Sequence, residues 1–213
     1  MKKTVYKKLK NKIISGDLLP GTLLIEREIS NEYGLSRTPI REVLWHLVSD
    51  GLLQKDFSGS YFVKKISLDE IFNLFQSREA IEGVAGKLAC QKGDIEFFLN
   101  LKEIHEALEK VNIKKNPQDG IFYGQQLHDA IVLAANNPYL SEFYKKLRNI
   151  SSLTRHITQR SIAIEEKSRE AHLTIIDAIK ERNEDKAEKQ IRKHLQTTCR
   201  LMINDFYPSL LKA

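Results

Sequence analysis

Apolar residues recur at helical spacing from the first turn of the chain. Val5, Leu9 and Ile13 fall at i, i+4 and i+8 with lysines between them, which predicts an amphipathic helix closed by Gly16 and the Leu19-Pro20-Gly21 turn. Ile25 and Ile29 open a second, short helix that Gly34 stops. Ser36 then offers a hydroxyl as N-cap, and Pro39 sits in the first turn, where its missing N–H does little harm. In this third helix Ile40, Leu44, Leu47 and Val48 form the apolar stripe, and Gly51 ends it. Two short strand-like runs follow, Leu52-Leu53-Gln54-Lys55 and Gly59-Ser60-Tyr61-Phe62-Val63, around the turn Asp56-Phe57-Ser58. Three helices and a hairpin predict a winged helix-turn-helix over 1–66.

From residue 67 onward the pattern is helical throughout. Ser67-Leu68-Asp69-Glu70 reads as a capping box opening a long helix. Breaks at Gly93, Asn116-Pro117, Asn137-Pro138 and Asn183 divide the rest into six helices, about 67–91, 94–111, 119–136, 138–158, 163–182 and 184–207. The fold class is mainly α: a winged helix-turn-helix over 1–66 and an all-helical bundle over 67–213.

At 213 residues the chain is long enough for two domains with cores of their own. No apolar run approaches the roughly 18–20 residues of a membrane span, and no apolar stretch follows the basic N-terminus as a signal peptide requires. The two cysteines, Cys90 and Cys199, match neither a disulfide framework nor a zinc pattern. These features lead us to expect a cytoplasmic protein without a membrane partner. Charge adds direction. Residues 1–66 hold twelve Lys and Arg against seven Asp and Glu, whereas the remaining residues hold 22 against 21. A basic surplus in the first third suits either a polyanionic partner or a solvated lysine-rich helix.

The candidate chemistry lies in two places. Arg37 and Arg41 stand four apart near the start of the third helix, where a recognition helix meets base edges; hydroxyls of Ser36 and Thr38 can serve phosphate or base. In the bundle, His128 precedes Ile131, Val132 and Ala135 by three, four and seven residues, and His172 precedes Ile175, Ile176 and Ile179 likewise. His194 follows Ile191 and precedes Thr198, Leu201 and Met202. One inward histidine is an ordinary core residue. Three on separate helices can converge, and neutral imidazoles suit zinc, nickel and similar metals. Periodicity alone leaves the two readings open. His46, His105 and His156 show no such pattern and read as structural or surface residues.

Residues 5–66 resemble the GntR family of bacterial regulators. The carriers are Ser15-Gly16-Asp17-Leu18-Leu19-Pro20-Gly21, Leu24-Ile25-Glu26-Arg27-Glu28-Ile29 and the stretch Gly34-Leu35-Ser36-Arg37-Thr38-Pro39-Ile40-Arg41-Glu42-Val43-Leu44, with Asp50-Gly51-Leu52-Leu53 beyond it. The resemblance implies DNA contacts from Arg27, Ser36, Arg37, Thr38 and Arg41, with Gly59 at a wing tip in the minor groove. Residues 67–205 are similar to the FCD domain of the FadR-like subgroup, through Arg78, Glu79, Glu82, Leu127-His128, Ala135-Asn136-Asn137-Pro138-Tyr139-Leu140, Glu170-Ala171-His172, Ala178-Ile179 and His194-Leu195. Six helices rather than seven suggest the VanR-like branch.

Many relatives of this kind hold a divalent metal with one Asp and three His, the Asp one turn before the first His. Here Gly124 stands at that position, and Gln125 is the nearest polar neighbour. Two expectations follow. Either a zinc- or nickel-class metal is held by His128, His172 and His194, an acidic effector completing its shell, or a metal-free pocket binds a small carboxylate through these histidines, Arg78 and Gln125. As a whole the resemblance implies a homodimeric repressor that reads a palindromic operator and is gated by a small organic acid. A constitutive dimeric DNA-binding protein without effector is the alternative. A metal-dependent hydrolase is a further one, against which no HExxH pair or nucleophile elbow occurs.

Overall fold

The computed structural model describes residues 1–154 and 161–206. The described residues divide into two compact units, one of 1–67 with 148–154, the other of 68–147 with 161–206. The stretch 148–154, placed with the bundle on sequence grounds, groups with the first unit.

In the first unit, helix α1 (Lys2–Ser15) buries Val5, Leu9 and Ile13, the stripe read from spacing. It stops where Gly16 turns left-handed at φ 85°. Helix α2 (Glu26–Tyr33) ends the same way at Gly34, φ 63°. Helix α3 (Arg37–Ser49) buries Ile40, Val43, Leu44 and Leu47. Ser36 occupies its N-cap position, but the hydroxyl makes no cap hydrogen bond and stays exposed, contrary to the expected capping role. Strands β2 (Leu53–Lys55) and β3 (Tyr61–Val63) form the expected hairpin. A third strand, β1 (Leu23–Leu24), pairs antiparallel with β3, Leu23 opposite Phe62 and Leu24 opposite Tyr61, so the sheet order is β1-β3-β2.

One apolar core unites these elements, with Ile40, Leu44, Leu47, Leu52 and Val63 at its centre. Leu153 belongs to it. Nearby, Lys10 donates to Asn149 Oδ1 at 2.8 Å and lies 3.9 Å from Asp50, whose carboxylate also accepts from Tyr6.

The described part of the second unit consists of α4 (Leu68–Lys92), α5 (Ile95–Lys110), α6 (Pro117–Ala134), α7 (Pro138–Ser152, its last turn within the first unit), α8 (Ile162–Lys180) and α9 (Glu184–Phe206). Asn137 caps α7 as its sequence suggests, accepting from the backbone N–H of Tyr139 and Leu140. The end of the predicted fourth bundle helix, with His156, lies outside the described residues. Helix α9 packs chiefly along α4, where Gly83 and Gly86 let Arg192 and Ile191 approach the α4 backbone. No helix among the described residues is long and apolar enough to cross a membrane.

Candidate functional site

The first unit presents α3 with its buried stripe inward and Arg37, Thr38 and Arg41 in solvent. Arg27 on α2 and Ser36 are exposed beside them. Arg41 is already engaged: its Nε and Nη2 donate to the two carboxylate oxygens of Glu26 at 3.0 and 2.9 Å, a bidentate pair. That hydrogen bond is the chief reason the Glu26 carboxyl sits below its ordinary value. The β2–β3 turn is held by Asp56, whose carboxylate accepts from Ser58 Oγ and from the backbone N–H of Ser60. Gly59 closes it at φ 88°, a conformation that favours glycine. An α-helix with an exposed basic N-terminal turn and a rigid wing beside it is a major-groove reader in shape.

In the second unit α6, α8 and α9 bring His128, His172 and His194 together. All three are buried, and a ligating atom from each lies within 4.8 Å of the others. His128 Nε2 and His172 Nε2 are 3.2 Å apart, and the rings of His172 and His194 are centred 4.5 Å apart. Burial, followed by the charge of neighbouring groups, holds His172 and His194 well below the ordinary imidazole range, so both are neutral at physiological pH.

Behind this cluster stands a residue to which the sequence reading gave no role. Glu82 on α4, 1 % exposed, accepts from His128 Nδ1 at 2.6 Å and from Arg78 Nε at 2.6 Å. Burial pushes its carboxyl up, Arg78 and His128 push it down further, and the balance leaves it at about 2. The signal was in the sequence: an acid on the apolar α4 stripe, four residues after an arginine, needs a buried partner. Arg78 is thus committed to Glu82 rather than to the space between the histidines. Gln125 likewise turns its amide to Asp129 at 2.9 Å and to Tyr144 at 3.0 Å, and Tyr144 donates to Asp129 at 2.9 Å. That three-residue network joins α6 to α7 and was not legible beforehand.

Whether these residues suit a metal is decided by the donor set. Two bonds of about 2.0–2.1 Å in a tetrahedral shell separate imidazole nitrogens by roughly 3.3–3.4 Å, close to the observed spacing. His128 turns Nδ1 to Glu82 and Nε2 to His172, the arrangement by which an outer carboxylate orients a metal-ligating histidine. His172 Nδ1 is buried without a hydrogen-bond partner. Among the described residues no carboxylate completes the three-imidazole cluster, and a Cβ at position 124 would fall onto His172 Cε1 and 2.9 Å from its Nδ1, so a carboxylate there requires the ring to shift. The residues suit a metal bound by three imidazole nitrogens, with its anionic ligand coming from elsewhere. A cavity of about 370 Å³ beside His194, edged by Lys167 and Lys193, is a fitting approach for an anion.

A basic winged helix-turn-helix joined to an all-helical domain defines a DNA-binding transcription regulator. The profile of bacterial regulatory proteins of the gntR family matches residues 1–63, and that of the FCD domain matches 73–197. The chain belongs to the GntR family, in its FCD-domain branch. It is 27% identical over 195 residues to the HTH-type transcriptional repressor RspR of Escherichia coli K12, spanning 90% of this chain and 84% of that protein. It is also 27% identical over 200 residues to the repressor GlaR of the same strain, spanning 90% and 91%. The solved structure of E. coli McbR/YncC superposes with a TM-score of 0.81 at 22% identity, covering 96% and 98% of the two chains, which establishes the shared fold. The chain is accordingly a DNA-binding transcription regulator. Its family is one of regulators rather than enzymes, which removes the hydrolase alternative.

Proposed function

We propose that the chain is a homodimeric, cytoplasmic repressor of a palindromic operator, released or tightened by a small organic acid bound in its bundle. Arg27, Ser36, Arg37, Thr38 and Arg41 are its DNA contacts, with Gly59 shaping the wing. Dimerisation follows from the need to read two half-sites about one helical turn apart. The repressor reading draws on the names of RspR and GlaR.

The observation that carries the effector site is the convergence of His128, His172 and His194 with no protein carboxylate among them. These three would hold a zinc- or nickel-class metal, which supplies a Lewis-acidic centre for a carboxylate. Glu82 orients His128, Arg78 keeps Glu82 ionised, and Lys167 and Lys193 draw the anion inward. Gln125 acts one layer back, through Asp129 and Tyr144.

Protein purified without a metal-affinity tag is the material for the test. Elemental analysis is expected to find about one metal per chain, and sugar, hydroxy or keto acids are expected to raise the melting temperature selectively in its presence. Absence of metal even after zinc addition, with acids still stabilising, favours the metal-free carboxylate pocket. No stabilisation by any acid overturns effector gating and leaves a constitutive DNA-binding protein.

A further inference from the structure

The chain contains one tryptophan, and it stands in solvent on α3. Trp45 is 61 % exposed; its ring meets only the edge of His46, also exposed, with centroids 5.5 Å apart. Arg37, Arg41 and Trp45 recur at i, i+4 and i+8, one exposed row that runs beside the buried stripe of Ile40, Val43, Leu44 and Leu47. Nothing in the core requires an indole there. It is the largest apolar surface a residue can offer, and its N–H calls for a hydrogen-bond acceptor once covered.

The surroundings name the occupant. Exposed Arg37 shares the ridge, exposed Arg27 lies on the neighbouring α2, and the two acids within the ridge's reach are both paired, Glu26 with Arg41 and Glu42 with Lys2. At 1.5 Å per residue Trp45 lies about 12 Å along the helix axis from Arg37. The major groove is about 12 Å wide, so a helix that sets Arg37 among base edges carries Trp45 to the groove wall. We propose that Trp45 is a DNA contact, its ring against deoxyribose and thymine-methyl groups and its Nε1–H donating to a phosphate oxygen. This rests on α3 being the element that enters the groove.

Because Trp45 is the sole tryptophan, its emission reports on this position alone. The probe is a duplex recovered by selection on the protein from a randomised library, with a scrambled duplex as control; binding is followed independently by anisotropy of a labelled copy. Indole emission is expected to change in step with binding, and Trp45→Ala to bind roughly tenfold more weakly, the order of one lost base-pair contact, while melting like the parent. Trp45→Phe is expected to fall between. If Trp45→Ala binds as tightly as the parent and emission stays constant at saturation, the proposal is overturned, and loss of binding by Arg37→Ala then shows that the placement of α3 survives. Should Arg37→Ala also bind normally, α3 itself is misplaced. An emission maximum that shifts with protein concentration in the absence of DNA would overturn the proposal and assign Trp45 to contact between copies of the chain instead.

Discussion

Oε2 of Glu82 lies 2.6 Å from Nδ1 of His128, while Oε1 of the same carboxylate lies 2.6 Å from Nε of Arg78. One buried carboxylate therefore joins a cation on its own helix to an imidazole of the sensor cluster. Such a pair contributes little net stability against well-packed apolar residues, but removing one partner strands the other. Its role is orientation.

Replacing Glu82 with Gln removes the main countercharge of buried Arg78. The expected cost is about 3–5 kcal/mol in urea unfolding, much of it recovered in the double variant Arg78→Met, Glu82→Gln, where no charge is stranded. If metal is bound, its affinity falls about 10- to 100-fold in the single variant, because His128 loses the carboxylate that orients its ring. A single variant as stable as the parent would mean that Arg78 reaches water.

Gly124 holds the place where the family resemblance implies a carboxylate, and the His172 ring occupies the space that a Cβ there would take. Gly124→Ala is expected to destabilise by about 1–3 kcal/mol, since the added methyl strikes a ring that cannot shift freely in a packed bundle. Gly124→Asp should melt below the parent in chelator yet gain more than the parent on adding zinc. Equal zinc shifts in the two proteins would show that Asp at 124 adds no ligand, and no zinc shift in either would show that the three histidines do not form a metal site.

The helical frame was legible because its determinants are local: apolar spacing in α1 and α3, and glycines that accept left-handed backbone at Gly16 and Gly34. Strand β1 was not, since Leu23 and Leu24 carry no alternating pattern and become a strand only by pairing with Phe62 and Tyr61. The histidine cluster could be anticipated from three inward faces. Its support could not: Tyr144 reaches Asp129 across two helices, and no spacing within either helix encodes that. Ser36 shows the converse, a residue of cap type at a cap position whose hydroxyl is left to solvent.

Cys90 and Cys199 are buried, and burial pushes both thiols up to about 11. Because the folded value exceeds the unfolded one, each contributes stability that is fully present below the ordinary thiol range and is lost as pH rises towards the folded value. Native protein at about pH 8 is therefore expected to resist iodoacetamide at both sites, whereas protein in urea is modified at both. Rapid labelling of the native chain at either position, read by mass spectrometry, would contradict the packing of α4 or α9 around it.

Arg41 and Glu26 give the sharpest test of the DNA-facing surface. Arg41→Ala is expected to weaken operator binding by about 1–3 kcal/mol, the cost of a lost bidentate base contact. Glu26→Gln separates two effects that a single alanine cannot. It removes a negative charge near the approaching phosphates, which favours any duplex. It also frees the guanidinium from the carboxylate that fixes its fork, which penalises only the geometry that one sequence demands. The expected outcome is tighter binding to a scrambled duplex and a narrower ratio between operator and scrambled affinities, measured at one salt concentration. A preserved ratio would mean that Glu26 merely neutralises Arg41, and that base discrimination on α3 comes from Arg37 and its neighbours.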